Sequence, residues 1–198
     1  MNQEFWNQRY ASEEFAYGLY PNVLLKRLIE KMPSGKILFP AEGEGRNAVF
    51  CATRGWDVSA FDITTSGKQK SEILALKNNV EIKYTVNSFV DSNYPENHFD
   101  VIALIFSHLP DEIRQKSFRR IIPFLKPGGI LIVIGFSNAQ LGKKSGGPKE
   151  LNMLFSDDVL REDFNQLHSM EVETCDMEID EGPYHQGLAS LIQFTAIK

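Results

Sequence analysis

Apolar residues along the chain fall into short unbroken runs separated by stretches of helical spacing. The runs at 37–41, 58–61, 99–106 and 130–136 have strand length, and their continuity is that of parallel strands buried on both faces. Residues 81–86 alternate and read as a further strand. Residues 47–52 follow the first run at once in a helical pattern, and residues 65–78 read as a helix carrying Ile73, Leu74 and Leu76. Pro110 opens another, with Ile113, Phe118, Ile121, Ile122 and Leu125 on one side. Lys126-Pro127-Gly128-Gly129 reads as a turn. Ser156 caps a last helix with Leu160, Phe164 and Leu167 on one face. Residues 170–179 and 188–197 are then two strands on one short connection, hence antiparallel.

This alternation predicts a doubly wound α/β fold with a mostly parallel sheet. No repeat, low-complexity tract or linker interrupts it, so residues 1–198 are expected to form one domain, with a helical part over 1–34 and a core over 35–198. The helical part holds Phe5, Trp6, Tyr10, Phe15 and Tyr17. That aromatic set reads either as a helix packed on the sheet or as a lid over a ligand, with Gly18 as its flexible end. A second helix follows Pro21-Asn22, with Val23, Leu24, Leu28 and Ile29 at helical spacing.

The first strand, turn and helix carry Gly43-x-Gly45-x-x-Ala48, which formally fits a dinucleotide fingerprint. The glycines admit close backbone approach, and the helix N-terminus offers free N–H groups. Nineteen residues past Gly43 the second strand ends in Asp62, placed to accept ribose hydroxyls. Glu42 and Glu44 stand in the same turn. A carboxylate about 4 Å from a phosphate costs roughly 1 kcal/mol in water and about 4 at an effective dielectric near 20, part of which Arg46 offsets. A ribose and adenine with positive charge in place of phosphate suits the turn better, and S-adenosyl-L-methionine is such a ligand.

Composition narrows the class. With 42% hydrophobic and 24% charged residues the chain is that of a globular protein, and a net charge of −5 without a basic run disfavours nucleic acid. No signal peptide and no run long enough to span a membrane is visible, so a cytoplasmic protein is expected. Cys51 and Cys175 read as small buried hydrophobes, and no Cys/His cluster has metal spacing.

Several stretches resemble one known family. They are Trp6-x-x-x-Tyr10 with Tyr17-Gly18-x-x-Pro21-Asn22, residues 41–48, Ser107-His108-Leu109-Pro110, Leu125-Lys126-Pro127-Gly128-Gly129 and Gly182-x-Tyr184-His185-x-Gly187. Over nearly the whole chain they resemble class I S-adenosylmethionine-dependent methyltransferases, in the branch related to tellurite-resistance and thiopurine small-molecule methyltransferases. The resemblance implies a seven-stranded Rossmann-like sheet, order 3-2-1-4-5-7-6, with an antiparallel last strand. It implies that Ala41, Glu42 and Gly43 line the methionine part of the cofactor, Asp62 the ribose and Ile63 the adenine. Asn87, Ser88 and Phe89 would form the adenine edge, with Ile105 and Phe106 closing the pocket and Tyr17 and Arg46 beside it. Two departures stand out: Phe39 replaces a usual acid and Ala41 a usual glycine. Pro40 is also unusual near a central strand. Glu42 is expected to take over from the missing acid and pair with the cofactor's ammonium.

The expected chemistry is methyl transfer to a small molecule or metalloid oxyanion, by a monomer or weak homodimer. Soft acceptors need no base; hydroxyl or amine acceptors do. His108 follows the fourth strand, and His185 lies in the final turn, on the same rim if the sixth strand is parallel to the others. Both are expected as catalytic candidates, with Tyr17, Tyr184 and Arg46 facing the acceptor. A cap or turn hydrogen bond is the alternative for either histidine. His98 and His168 read as surface residues. Residues 137–150 leave the same rim as an acceptor lid or a plain loop. Two other functions fit parts of the pattern: a non-catalytic cofactor-binding protein and a nicotinamide oxidoreductase.

Overall fold

The computed structural model describes residues 2–198. Seven strands form one sheet in the order β3-β2-β1-β4-β5-β7-β6. Five of them, β1 (Lys36–Pro40), β2 (Asp57–Asp62), β3 (Lys83–Val86), β4 (Phe99–Ile105) and β5 (Leu125–Phe136), are mutually parallel. The last two, β6 (His168–Asp180) and β7 (Gln186–Ile197), form a hairpin in which β7 is antiparallel to β5 and β6 to β7. The sixth strand therefore runs parallel to the first five. The turn between β6 and β7 lies on the rim where β1, β4 and β5 end.

The helices are α1 (Gln3–Tyr10), α2 (Val23–Ile29), α3 (Arg46–Thr53), α4 (Thr65–Lys77), α5 (Asp111–Ile121) and α6 (Asp157–Asp163). Ser156 caps α6 by accepting from the Val159 N–H, as its position predicts, and Asn22 caps α2 at the Leu24 and Leu25 N–H groups. Two apolar clusters cover the two faces of the sheet. One contains Leu25, Ile29, Phe39 and Trp56, the other Phe61, Phe99, Phe118, Phe155 and Phe194. Pro40 is tolerated because the β1–β4 ladder ends at Leu38, before the missing N–H is needed.

Several expectations are corrected. Residues 126–129 are not a free turn but a bulge within β5, where pairing jumps from Phe99–Leu125 to Val101–Ile130. On α4, Ile73 and Leu76 face solvent (Leu76 is 78% exposed), and the buried side is Gly67, Lys70, Ser71, Leu74 and Ala75. Ile113 on α5 is likewise exposed. Cys51 is buried, whereas Cys175 on β6 at the sheet edge is only half-buried. Gly18 is no flexible end: its backbone packs against Gly182, where a Cβ would come within 2.5 Å of the Gly18 nitrogen. Among the described residues no helix is long and apolar enough to cross a membrane.

Candidate active site

The turn after β1 is built around a carboxylate. Oε1 of Glu42 accepts the Asn47 and Ala48 N–H groups at 2.9 and 2.8 Å, which caps the N-terminus of α3 from the side. Glu42 is deeply buried, and burial pushes its carboxyl up to about 7 against the pull of Ala48, Arg46 and Asn47. Glu44 turns away from the helix end, pairs with Lys70 at 2.7 Å, and accepts the Tyr17 N–H. The carboxylates thus do more than repel a phosphate. Glu42 occupies the N–H groups that a pyrophosphate would need, which removes the ground of the nicotinamide reading.

The glycines of this turn face the protein. A Cβ on Gly43 would lie 2.7 Å from the Tyr10 hydroxyl, and one on Gly45 would collide with Cβ of Ser71 on α4. Gly67 meets the Gly43 carbonyl just as closely. Close approach here is between α4 and the turn, so α4 needs small residues on this side. Ala41 has φ +53° and Phe106, just after β4, +52°, a left-handed backbone that favours glycine at the first and is strained at the second. Both sit at the site.

Two adjoining cavities open on the rim, sharing Trp6, Tyr10, Ala41, Phe106 and His108. The smaller, about 170 Å³, is lined by Asp62, Ile63, Asn87 and Phe89. Asp62 accepts the Gly43 N–H at 3.1 Å and the N–H and hydroxyl of Thr64 at 3.0 and 2.7 Å, so its position is fixed. The larger, about 280 Å³, is lined by Tyr17, Glu42, Arg46, Ile105, Tyr184 and His185, among others. Of the expected residues, Gly43 and Ser88 lie outside both cavities. Tyr10 covers the first, and the hydroxyl of the second donates to Asp91 at 2.6 Å.

The two candidate histidines differ sharply. His108 Nδ1 lies 2.7 Å from the Met153 carbonyl and must donate to it, while Nε2 accepts the Phe136 N–H at 3.0 Å. Its partly buried setting pushes its pKa down to about 3, against the pull of the Met153 carbonyl. Both nitrogens serve backbone groups, so His108 has the hydrogen-bonding alternative rather than a free base; it joins the end of β4 to the end of β5. His185 is different: its ring packs 4.5 Å from Tyr17 and Phe106, and its buried Nδ1 has no hydrogen-bond partner, lying 3.7 Å from Glu181. Burial lowers its pKa, with Glu181 pulling the other way. His98 and His168 lie outside the cavities.

Glu181 is a residue that sequence reasoning missed. It receives Arg46 at 2.8 Å and the Asn22 amide at 2.9 Å, and the nearby His185 and Arg46 hold its carboxyl at about 2 against burial. Arg9 was missed as well. Its position one residue before Tyr10 on an aromatic helix was the available signal. It lines the larger cavity, lies 3.8 Å above the Tyr184 ring and donates to the Tyr17 hydroxyl at 3.2 Å. The N-terminal aromatics are a cover that is already seated: Asn7 accepts the Ser66 N–H and Gln3 donates to the Ile63 carbonyl. From residues 137–150, Gly146, Gly147 and Pro148 wall the larger cavity; the Gln140 amide N–H groups close the segment on itself at Ser145 and Gly146, and its oxygen accepts the Ser190 N–H of β7 at 2.8 Å.

Residues 37–129 match the family described as a methyltransferase domain. A curated relative, the ubiquinone/menaquinone biosynthesis C-methyltransferase UbiE of Azotobacter vinelandii, is 43% identical over 53 residues, 25% of this chain; the match spans only about a fifth of that relative (21%). A structure solved for the conversion of a disulfide bond into a thioacetal group during echinomycin biosynthesis has a TM-score of 0.78 at 15% identity, covering 98% of this chain and 91% of that one. TehB from Haemophilus influenzae has 0.69 at 15% identity, covering 99% and 66%. The chain is thus similar to a methyltransferase domain over residues 37–129, and its whole fold, strand order included, is that of the solved structures it resembles.

Proposed function

We propose that this chain methylates a small-molecule acceptor in the cytoplasm, in the manner of the tellurite-resistance and thiopurine branch, and that the two joined cavities hold the cofactor end to end. The observation that carries this reading is their division of labour. One offers a fixed carboxylate beside apolar walls, the other a buried carboxylate without a cation. In it Asp62 takes the ribose, Ile63, Asn87 and Phe89 the adenine, and Glu42 the ammonium, its Oε2 standing outside the α3 cap.

When bound, S-adenosylmethionine supplies an electrophilic methyl group, whose transfer returns the S–C bonding pair to sulfur and leaves a neutral thioether. The protein's own part is orientation and exclusion of water, for which well-aligned reactants gain roughly 7–11 kcal/mol. Trp6, Tyr10 and Tyr17 close the site from above, with Phe106 between the cavities. His185, neutral at pH 7, takes the proton of a protic acceptor, and Glu181 orients it once the 3.7 Å gap closes. Arg46 keeps Glu181 ionised, and Tyr17 and Tyr184 flank the acceptor.

Calorimetric titration with S-adenosylmethionine, S-adenosylhomocysteine and NAD is the direct test. Binding of the first two and not of NAD is expected; NAD binding alone would sink the reading. Turnover on any of a panel of thiols, selenite and tellurite separates an enzyme from a protein that only binds the cofactor.

A further inference from the structure

The ionisable side chains of the larger cavity do not balance. Arg46 is neutralised by Glu181 at 2.8 Å and Glu44 by Lys70 at 2.7 Å. Glu42 remains for an ammonium. Arg9 has a hydroxyl and an aromatic face as its neighbours, and no carboxylate partner among the described residues. Asp62 belongs to the other cavity, where Gly43 and Thr64 hold it.

The methionine part of the cofactor adds an ammonium, a carboxylate and a sulfonium. Set against Glu42 and Arg9, the loaded chamber is left with one excess positive charge, whichever arginine meets the cofactor's carboxylate. The walls point the same way. Trp6, Tyr17, Phe106, Phe136 and Tyr184 surround the space, and such walls suit a flat apolar body. A small hydrated oxyanion would lose its water there for few donors in return. Arg9 offers a planar fork, already stacked on Tyr184 and tethered by Tyr17, of the shape that takes a carboxylate with two parallel bonds.

We propose that the methyl acceptor is an organic anion with a flat apolar body, and that the Arg9 guanidinium binds its anionic group; this rests on the methyltransferase reading above. Arg9 is a specificity-determining residue contributed by the N-terminal helix, so α1 selects the acceptor as well as covering the cofactor.

Benzoate, its neutral isostere benzamide, and selenite are titrated calorimetrically into the full chain, with and without saturating S-adenosylhomocysteine. Benzoate is expected to bind at least about tenfold tighter than benzamide. That preference should fall to about onefold in Arg9→Gln and lie between in Arg9→Lys. An absent preference, or one that survives Arg9→Gln, overturns the proposal. So does selenite binding through Arg9 where benzoate does not bind. A loss of S-adenosylhomocysteine affinity in Arg9→Gln with the benzoate preference intact assigns Arg9 to the cofactor's carboxylate, which also overturns it. Failure of S-adenosylhomocysteine to bind the unaltered protein counts against the methyltransferase reading instead, and the benzoate comparison on the cofactor-free chain still decides the role of Arg9.

Discussion

Glu42 is close to half ionised at neutral pH, because burial outweighs the two α3 amides and Arg46. An ammonium arriving beside it would complete its ionisation. Binding of S-adenosylhomocysteine at pH 7 should therefore release about half a proton, read from the enthalpy in buffers of different ionisation heat, and Glu42→Gln should abolish the release. The same shift makes Glu42 a pH-dependent liability in the free protein. Its folded pKa lies above the ordinary value of 4.5, so the native state holds the extra proton, and stability falls as pH rises from about 4.5 to 7. The histidines divide equally clearly. His108→Ala strands a buried carbonyl and a buried N–H and should cost about 2–4 kcal/mol in denaturant unfolding. His185→Gln should lower kcat/KM for protic acceptors and spare soft anionic ones. Since burial lowers the His185 pKa, the wild-type kcat/KM for a protic acceptor should stay flat below pH 6.5 before it falls.

At the scale of elements, the glycine turn and α4 are one unit. Gly45→Ala must force its methyl against Ser71 and hold alanine at φ +89°, so a loss of about 2–3 kcal/mol in thermal or urea unfolding is expected. In the double variant with Ser71→Gly the steric part should be relieved only in part, because the Ser71 Cα still lies 2.8 Å from the new methyl, and the two substitutions should couple by about 1 kcal/mol or more. This unit also shows what the amino-acid pattern could and could not reveal. The strands and the closing hairpin were legible, because β1, β4 and β5 are unbroken apolar runs and the chain alternates regularly; the strand order came from the family resemblance. The inner face of α4 was not, because residues such as Gly67 and Ser71 pack against the turn while Ile73 and Leu76 face water. A hydrophobic pattern cannot announce a contact made through small residues. The 126–129 bulge was hidden for a related reason: its glycines fit a free turn as well as an interrupted ladder.

For the whole molecule, most of the residues expected at the smaller cavity could be picked out from local motifs, whereas the larger cavity depends on pairings between distant parts of the chain. Asp62 follows from its spacing to the glycines, but no spacing connects Glu181 with Asn22, 159 positions away, or with Arg46, 135 away. Glu181→Gln should leave Arg46 buried without its counter-charge and cost about 3–5 kcal/mol in global unfolding. The Glu181 pKa is depressed, so its contribution is present above its ordinary 4.5 and is lost as the pH falls from there towards about 2. Thermal unfolding of the variant across that window should show a flatter acid limb than the wild type.

The clasp between the N-terminal segment and the β6–β7 turn also imposes an order in time. During synthesis the cofactor motifs, from Glu42 to Phe89, leave the ribosome early, while Glu181 emerges 159 residues after the Asn22 that it must hold. A nascent chain thus carries Asp62 and Glu42 long before the wall that Tyr184 and His185 give the larger cavity. That wall is the last part of the larger cavity to be made. A ribosome stalled short of residue 181 would hold every residue of the smaller cavity without the Glu181 that pairs with Arg46.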